Sequence, residues 1–173
     1  MNGAPGWDSI IVLVYVIGIG YNVILHREKI AGHIASAYIA LAVTAVIARP
    51  ISEFVLKTKL LANQGFVARA FSTDNSSGVI FLLLTIILSS FLAISPTGRR
   101  SDDLSAPEAF GYAFLWVTLV ISTILSFMPE TLRANYIEHS KFIGLIWQFH
   151  TWWLVIPALL LIYSGFRRGS ARS

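Results

Sequence analysis

Long apolar runs, each close to 20 residues, constrain this chain more than any other feature of its sequence. A helix needs about 20 mainly apolar residues to cross a hydrocarbon core about 30 Å thick. Four runs meet or approach this length, namely residues 9–25, 30–47, 78–94 and 109–128. Helices satisfy their own backbone hydrogen bonds in lipid, where water cannot do so. The sequence therefore predicts an all-α, polytopic membrane protein in which residues 1–173 form one integral membrane domain.

A fifth apolar run, residues 142–166, is less regular than the other four. Polar residues and Pro157 interrupt it, and its unbroken apolar part, residues 152–163, is too short to span alone. The whole run can cross the membrane if it is kinked near Pro157. Re-entrant and interfacial placements stay open beside the spanning one, which we favour. We therefore expect four or five transmembrane helices.

Two further segments mix apolar and charged residues at helical spacing. These are residues 51–71 and 130–141, and amphipathic helices of this kind lie in the membrane interface. Arg49-Pro50 separates the first of them from the second apolar run. Because proline lacks a backbone donor, we expect the second transmembrane helix to end there.

The composition agrees with a lipid-facing surface. Charged residues make up 13% of the chain, whereas soluble domains carry about 25%. The formal net charge is +4, and the basic residues lie between apolar runs, where they are typical of membrane topology and anionic headgroups. We therefore expect the bilayer, and not nucleic acid, as the partner. The chain has no cysteine, which excludes disulfides, thiolate metal sites and cysteine nucleophiles.

Small residues recur at every fourth position of the second run. They are Gly32, Ser36, Ala40, Thr44 and Ala48, and we call them the small-residue stripe. Association of helices in lipid depends on close backbone approach, which small side chains permit. The stripe is therefore predicted to be a helix-packing surface, against a partner either in this chain or in another subunit. The link at residues 26–29 is so short that the first two helices should form an antiparallel hairpin.

Hydroxyl residues repeat in a similar way in the fourth run. Thr118, Ser122 and Ser126 lie four residues apart, and packing is the default interpretation of such a set. The alternative is a polar pathway that also includes His150. His33 and Arg49 fall near the ends of their runs, where we interpret them as structural. The sequence shows no recognisable catalytic, nucleotide-binding or metal-binding motif, so we expect no enzymatic activity, no cofactor and no metal.

The start and the tail of the chain carry a further set of features. An acidic residue opens the first helix, glycines follow, and a basic turn leads into the small-residue helix; the tail has a polar stretch before its apolar end. The positions are Asp8, Gly18, Gly20, Arg27, Pro50 and Ser140. This arrangement resembles the colicin V production protein (CvpA) family, best over the first 50 residues. The resemblance implies a bacterial inner-membrane protein linked to toxin production or export, or to envelope homeostasis, without catalytic residues.

Three function classes remain. The first is a non-enzymatic, CvpA-like inner-membrane protein that acts through helix packing, in a homo-oligomer or beside other membrane subunits. The second is a small oligomeric channel or transporter subunit lined by the residues of the polar pathway. The third is an accessory subunit of a larger membrane complex.

Overall fold

The structure, a computed structural model, describes residues 6–25, 29–57, 76–94 and 105–170, apart from the side chains of residues 25, 55–56, 92–94 and 164–170. Every secondary-structure element in these ranges is an α-helix, as predicted. We number the helices in chain order: α1 is Trp7–Leu25, α2 is Ile30–Lys57, α3 is Ser76–Ile94, α4 is Ala106–Phe127, α5 is Glu130–His139, α6 is Lys141–Gln148 and α7 is His150–Ser170.

Among the described residues, three helices are long and apolar enough to cross a membrane. The qualifying segments are Trp7–Ile24, Ile30–Phe54 and Ala106–Phe127, which correspond to the first, second and fourth apolar runs. In α3 the apolar segment Ser76–Phe91 is shorter. The fifth run is not one helix, because α6 and α7 pass the same test only as a pair that is bent by 62°.

The second helix does not end at Arg49-Pro50, so that prediction was wrong. Pro50 lies inside α2, which continues to Lys57. Proline costs a helix one backbone hydrogen bond and some strain, but the residues on either side hold this turn together. The Ser52 hydroxyl, which is buried, donates to the Arg49 carbonyl at 2.8 Å. Glu53 pairs with Arg49 at 3.5 Å and with Lys57 at 3.8 Å along the exposed face.

The continuation of α2 also changes the first predicted interfacial helix, residues 51–71. Residues 51–57 are the last two turns of α2 and not the start of a separate helix. The rest of that prediction lies outside the described residues.

The second predicted interfacial segment, residues 130–141, is helical as α5, which contains no buried residue. The helix ends at His139, two residues earlier than predicted, and the backbone of Ser140 after it is extended. Ser140 caps α6 by accepting a hydrogen bond from the Ile143 amide at 3.2 Å. An N-cap serine satisfies one of the free amides at a helix start, so the sequence turns here from one helix into another.

The break in the fifth run lies at Phe149 and not at Pro157, which corrects the predicted kink. Phe149 ends α6 with φ −106° and ψ 19°, and α7 begins at the next residue and runs on through Pro157. Pro157 is fully buried. In the turn before it, the Tyr38 hydroxyl of α2 donates to the Leu154 carbonyl. Proline at 157 leaves the Trp153 carbonyl without its helical donor, and the Tyr38 bond is made to the next carbonyl in the same turn.

The bundle is built around α4, which contacts α1, α2, α3, α6 and α7. The most extensive contact of all joins α2 to α3, whereas α1 packs mainly on α4. Backbone contacts between α1 and α2 are sparse in the described residues, so each of these two helices packs mainly on other helices. At the α1–α4 contact, a Cβ built on Gly18 would lie 2.6 Å from a Val117 methyl carbon. Glycine at this position therefore permits the close approach.

Candidate functional site

The small-residue stripe lies inside the bundle. Ser36, Ala40 and Thr44 have no exposed surface, Ala48 is buried and Gly32 is half-buried. The Ser36 hydroxyl is 2.8 Å from the Ser89 hydroxyl of α3. Residues four apart share one helix face, and α2 makes its largest contact with α3. The described partner of the stripe is therefore a helix of the same chain.

Next to this contact is a cavity of about 220 Å³ between α1, α2, α3 and α4. Its lining combines aromatic, aliphatic and hydroxyl side chains with one histidine: Tyr21, His33, Leu82, Thr85, Ile86, Ser89, Ser90, Trp116 and Val120. Tyr21, Leu82, Ile86 and Ser90 are exposed and form its rim, while His33 and Thr85 are buried. A concave site with an apolar wall and a few converging polar groups is the usual form of a small-molecule site.

The cavity extends from the middle of the bundle towards one end. Thr85 and Trp116 lie at the middle of α3 and α4. Tyr21 is about one turn from the end of α1, His33 is about one turn from the start of α2, and Ser90 is about one turn from the end of α3.

His33 is held by a buried amide on α1. Its Nδ1 lies 2.7 Å from Oδ1 of Asn22, and Nδ2 of Asn22 donates to the Gly18 carbonyl at 2.8 Å. The bond to Gly18 orients the amide so that its oxygen points to histidine, and Nδ1 of His33 must then carry the proton. In the neutral ring Nε2 is consequently the acceptor. Asn22 has no exposed surface and His33 is 1% exposed, so a buried polar pair fixes the tautomer of the ring.

The serine hydroxyls beside His33 form a directed chain. Ser36 donates to the His33 carbonyl at 2.7 Å, so its oxygen accepts the proton of Ser89. The Trp116 indole N–H donates to the same His33 carbonyl at 3.1 Å. Ser90 donates to the Ile86 carbonyl of its own helix at 2.8 Å. Three donors that line the cavity are therefore already bonded to acceptors within the protein. They are the hydroxyls of Ser89 and Ser90 and the indole N–H of Trp116.

The Thr85 hydroxyl, which also lines the cavity, differs from the groups of Ser89, Ser90 and Trp116 in its hydrogen bonding. The Thr85 side chain is 2% exposed, and its hydroxyl has no hydrogen-bond partner among the described residues. A buried hydroxyl without a partner costs about 1–3 kcal/mol. At a cavity wall, a water molecule or a ligand in the cavity can provide the partner for such a group.

The four residues of the predicted polar pathway are not brought together in one lining. Thr118 is buried, accepts from the Tyr15 hydroxyl at 2.8 Å and donates to the Phe114 carbonyl at 2.8 Å. Ser122 is buried without a described partner, and Ser126 is exposed and donates to the carbonyl of Thr123 in its own helix. His150 stacks on Trp147 with ring centroids 4.5 Å apart and lies 3.1 Å from the Trp147 carbonyl oxygen.

At the opposite end of α1, two residues distant in sequence meet. The Ser140 hydroxyl donates to the Asp8 carboxylate, and Trp7 packs edge-on against Tyr136 at 4.7 Å. These contacts tie the start of α1 to the junction of α5 and α6. A second cavity, of about 250 Å³ and almost wholly apolar, lies beside them between α1, α4, α5 and α6.

Sequence reasoning missed the cavity because its groups come from four helices that no motif connects. One signal was available: His33 and Asn22 are polar residues inside apolar runs, and such residues in membrane helices usually have a function and a nearby partner. Among the described residues, no three His, Asp or Glu side chains come together as metal ligands would. Comparison with known proteins gives no match to any family model, curated protein or solved structure.

Proposed function

We propose that this chain is a non-enzymatic, multi-pass membrane protein that binds a small hydrogen-bonding molecule in the cavity between α1, α2, α3 and α4, and that it serves as a small transport unit. The observation that carries this proposal is the buried Thr85 hydroxyl, which lines the cavity without a partner in the described residues. The oriented ring of His33 in the same lining supports it, because buried polar groups in membrane helices mark substrate pathways.

The membrane arrangement that we propose has five crossings. Three are α1, α2 and α4. The 19 residues of α3 reach about 28 Å at 1.5 Å per residue, and the bent pair of α6 and α7 supplies the fifth. The exposed α5 lies in the interface, as its lack of buried residues suggests.

The cellular setting that we propose is the bacterial inner membrane, with a role in toxin production or export, or in envelope homeostasis, as in the CvpA family. The resemblance rests in part on Asp8 and Ser140. The hydrogen bond between these two residues supports a common role for the segments of the chain that contain them. Any homo-oligomer or larger complex would use surfaces other than the small-residue stripe. Native mass spectrometry from native lipid would distinguish self-association from stoichiometric association with other subunits.

Cysteine labelling can test access to the cavity, because the chain has no cysteine of its own. Ser89→Cys places a thiol in the lining, whereas Thr123→Cys places one at a buried position of α4 outside the lining. In proteoliposomes we expect a small neutral thiol reagent to modify Ser89→Cys and to leave Thr123→Cys unmodified.

Solute flux then tests function in the same samples. Shrinkage and reswelling of the vesicles, followed by light scattering, would be measured with neutral and charged solutes before and after modification. We expect flux of at least one solute before modification and loss of that flux after Ser89→Cys is modified. Both measurements use the same folded protein in the same vesicles, so a difference in folding between variants cannot explain the loss. Absence of flux and of binding for every solute before modification, in vesicles whose Ser89→Cys thiol is shown to react with the reagent, would contradict the proposal.

A further inference from the structure

We infer that the cavity selects a neutral group that bears at least two O–H or N–H donors, such as a polyol or a urea-type amide, and that it discriminates against ions. This inference rests on the proposed function and specifies the class of ligand. It follows from two properties of the lining: its lack of charge and its excess of hydrogen-bond acceptors.

Among the described residues that line the cavity there is no Lys, Arg, Asp or Glu. An ion that enters a poorly solvated site loses its hydration and needs an opposite charge to compensate. The described part of the wall offers neither a carboxylate nor an ammonium group for this purpose. A neutral molecule avoids this loss and needs only hydrogen-bond partners.

The wall offers more acceptors than donors. The Ser89, Ser90 and Trp116 protons are used within the protein, but the two serine oxygens keep lone pairs that can accept. Thr85 contributes a hydroxyl that can both donate and accept. The complementary ligand therefore brings several donors and at least one acceptor.

The dimensions fit a small molecule of this kind. One water molecule needs about 10–15 Å³ of cavity volume, so the cavity of about 220 Å³ has room for a small organic molecule. The Trp116 and Tyr21 rings and the Leu82 side chain supply apolar surface for a carbon skeleton. Glycerol and urea fit within this volume.

A ligand with these hydrogen-bond donors can come from two sources. One is a free solute in water, and the other is the neutral, hydroxyl-bearing headgroup of a lipid such as a monoacylglycerol. The exposed Leu82 and Ile86 at the rim would contact the acyl chain in the second case. The chemistry recognised in the wall is common to both sources.

Binding to the purified protein in detergent tests the inference. Glycerol, urea and a monoacylglycerol are the neutral probes, and ammonium and acetate are the charged ones; affinities are measured by equilibrium dialysis and by tryptophan fluorescence. We expect saturable binding of at least one neutral probe and affinity at least tenfold lower for both ions. Binding of glycerol or urea identifies a free solute, and binding of the monoacylglycerol alone identifies a lipid headgroup; either result supports the inference.

Two threonine variants provide the matched comparison. Thr85→Val and Thr123→Val each remove a buried hydroxyl without a described partner, but only Thr85 lines the cavity. Loss of one hydrogen bond corresponds to about a 5- to 10-fold weaker affinity, which we expect for Thr85→Val, while Thr123→Val should bind as the unmodified chain does. Thermal unfolding of both variants checks that each is folded.

The outcomes separate this inference from the proposed function. If ammonium or acetate binds as tightly as every neutral probe, or if both threonine variants weaken binding equally, the ligand class is wrong but the chain still binds a small molecule. If no probe, neutral or charged, binds or crosses the membrane, both the ligand class and the proposed function are overturned.

Discussion

At the scale of single residues, the packing of α1 on α4 depends on a glycine, Gly18, which has no side-chain carbon at the contact. Gly18 has no Cβ at the place where Val117 approaches α1, and its carbonyl accepts the Asn22 amide that orients His33. One position therefore serves both the packing of α1 on α4 and the geometry of the cavity. The sequence reveals that a glycine is there, but the neighbour that requires it comes from a helix about 100 positions away and cannot be predicted from spacing.

Gly18→Ala should destabilise the protein for this reason. The added carbon would lie 2.6 Å from a Val117 methyl carbon, and overpacking of this kind costs about 1–3 kcal/mol. Gly20→Ala is the control, because a Cβ there meets nothing within 4 Å. We expect the thermal midpoint in detergent, followed by tryptophan fluorescence, to fall for Gly18→Ala and to stay within error for Gly20→Ala. Equal thermal midpoints for the two variants would show that the added carbon at position 18 is accommodated without loss of stability, and that close approach of α1 to α4 does not require this glycine.

Tyr38→Phe should also be destabilising, through the turn that precedes Pro157. It removes the hydroxyl that donates to the Leu154 carbonyl. Hydrogen bonds between membrane helices contribute about 0.6 kcal/mol on average and up to about 1.7 kcal/mol, and we expect the upper part of that range next to a proline. Tyr163→Phe, at an exposed position of the same α7, is the comparison. Unfolding titrations that give the same free energy for both variants would exclude a role for the Tyr38 hydroxyl.

At the scale of elements, the sequence predicts helices better than it predicts where they break. Apolar length identifies α1, α2 and α4, and the mixed composition identifies α5. Both proline-based expectations were wrong, because Pro50 and Pro157 lie inside continuous helices while the breaks fall at Ser140 and Phe149. A proline removes one donor, and a neighbouring hydroxyl can compensate for the weakened turn; that neighbour is known only when the helices have been packed.

Bulky substitutions in the small-residue stripe should separate α2 from α3. Ser36→Leu and Ala40→Leu introduce large side chains at positions without exposed surface, and we expect each to cost about 1–3 kcal/mol and to reduce the yield of folded protein after extraction. Ile39→Leu, on the exposed side of α2, is the control and should behave as the unmodified chain does. Size-exclusion profiles and thermal midpoints are the measurements. If both stripe variants assemble and unfold normally, the stripe is not a packing surface.

At the scale of the whole molecule, α4 links the two ends of the bundle that carry polar features. Trp116, at the middle of α4, lines the cavity, which extends towards one end of the bundle. Near the other, Leu125 of α4 packs with Ile143 and Ile146 of α6, close to the contact between Asp8 and Ser140. The sequence points to a polar pathway on α4, but α3 supplies three of the polar residues in the lining, namely Thr85, Ser89 and Ser90. The other three helices supply one polar side chain each, so the complete lining is not visible in any single segment.

The contact between Asp8 and Ser140 predicts a specific pattern of stability changes. Asp8→Asn weakens one hydrogen bond, whereas Ser140→Ala removes that bond and the cap of α6. Loss of a serine cap alone costs about 0.5–2 kcal/mol, so Ser140→Ala should be the more damaging variant. Because the two residues share one interaction, the double variant should cost less than the sum of the single ones. Chemical unfolding of all three variants measures this, and strictly additive free energies would contradict a direct contact.

The same contact has a consequence for the order in which the protein is made. Asp8 is synthesised 132 positions before its partner Ser140. During that interval the Asp8 side chain at the start of α1 must be hydrated or held by something other than its final partner. A chain interrupted before α6 lacks Ser140, so the start of α1 stays without the hydrogen bond that it makes in the folded structure.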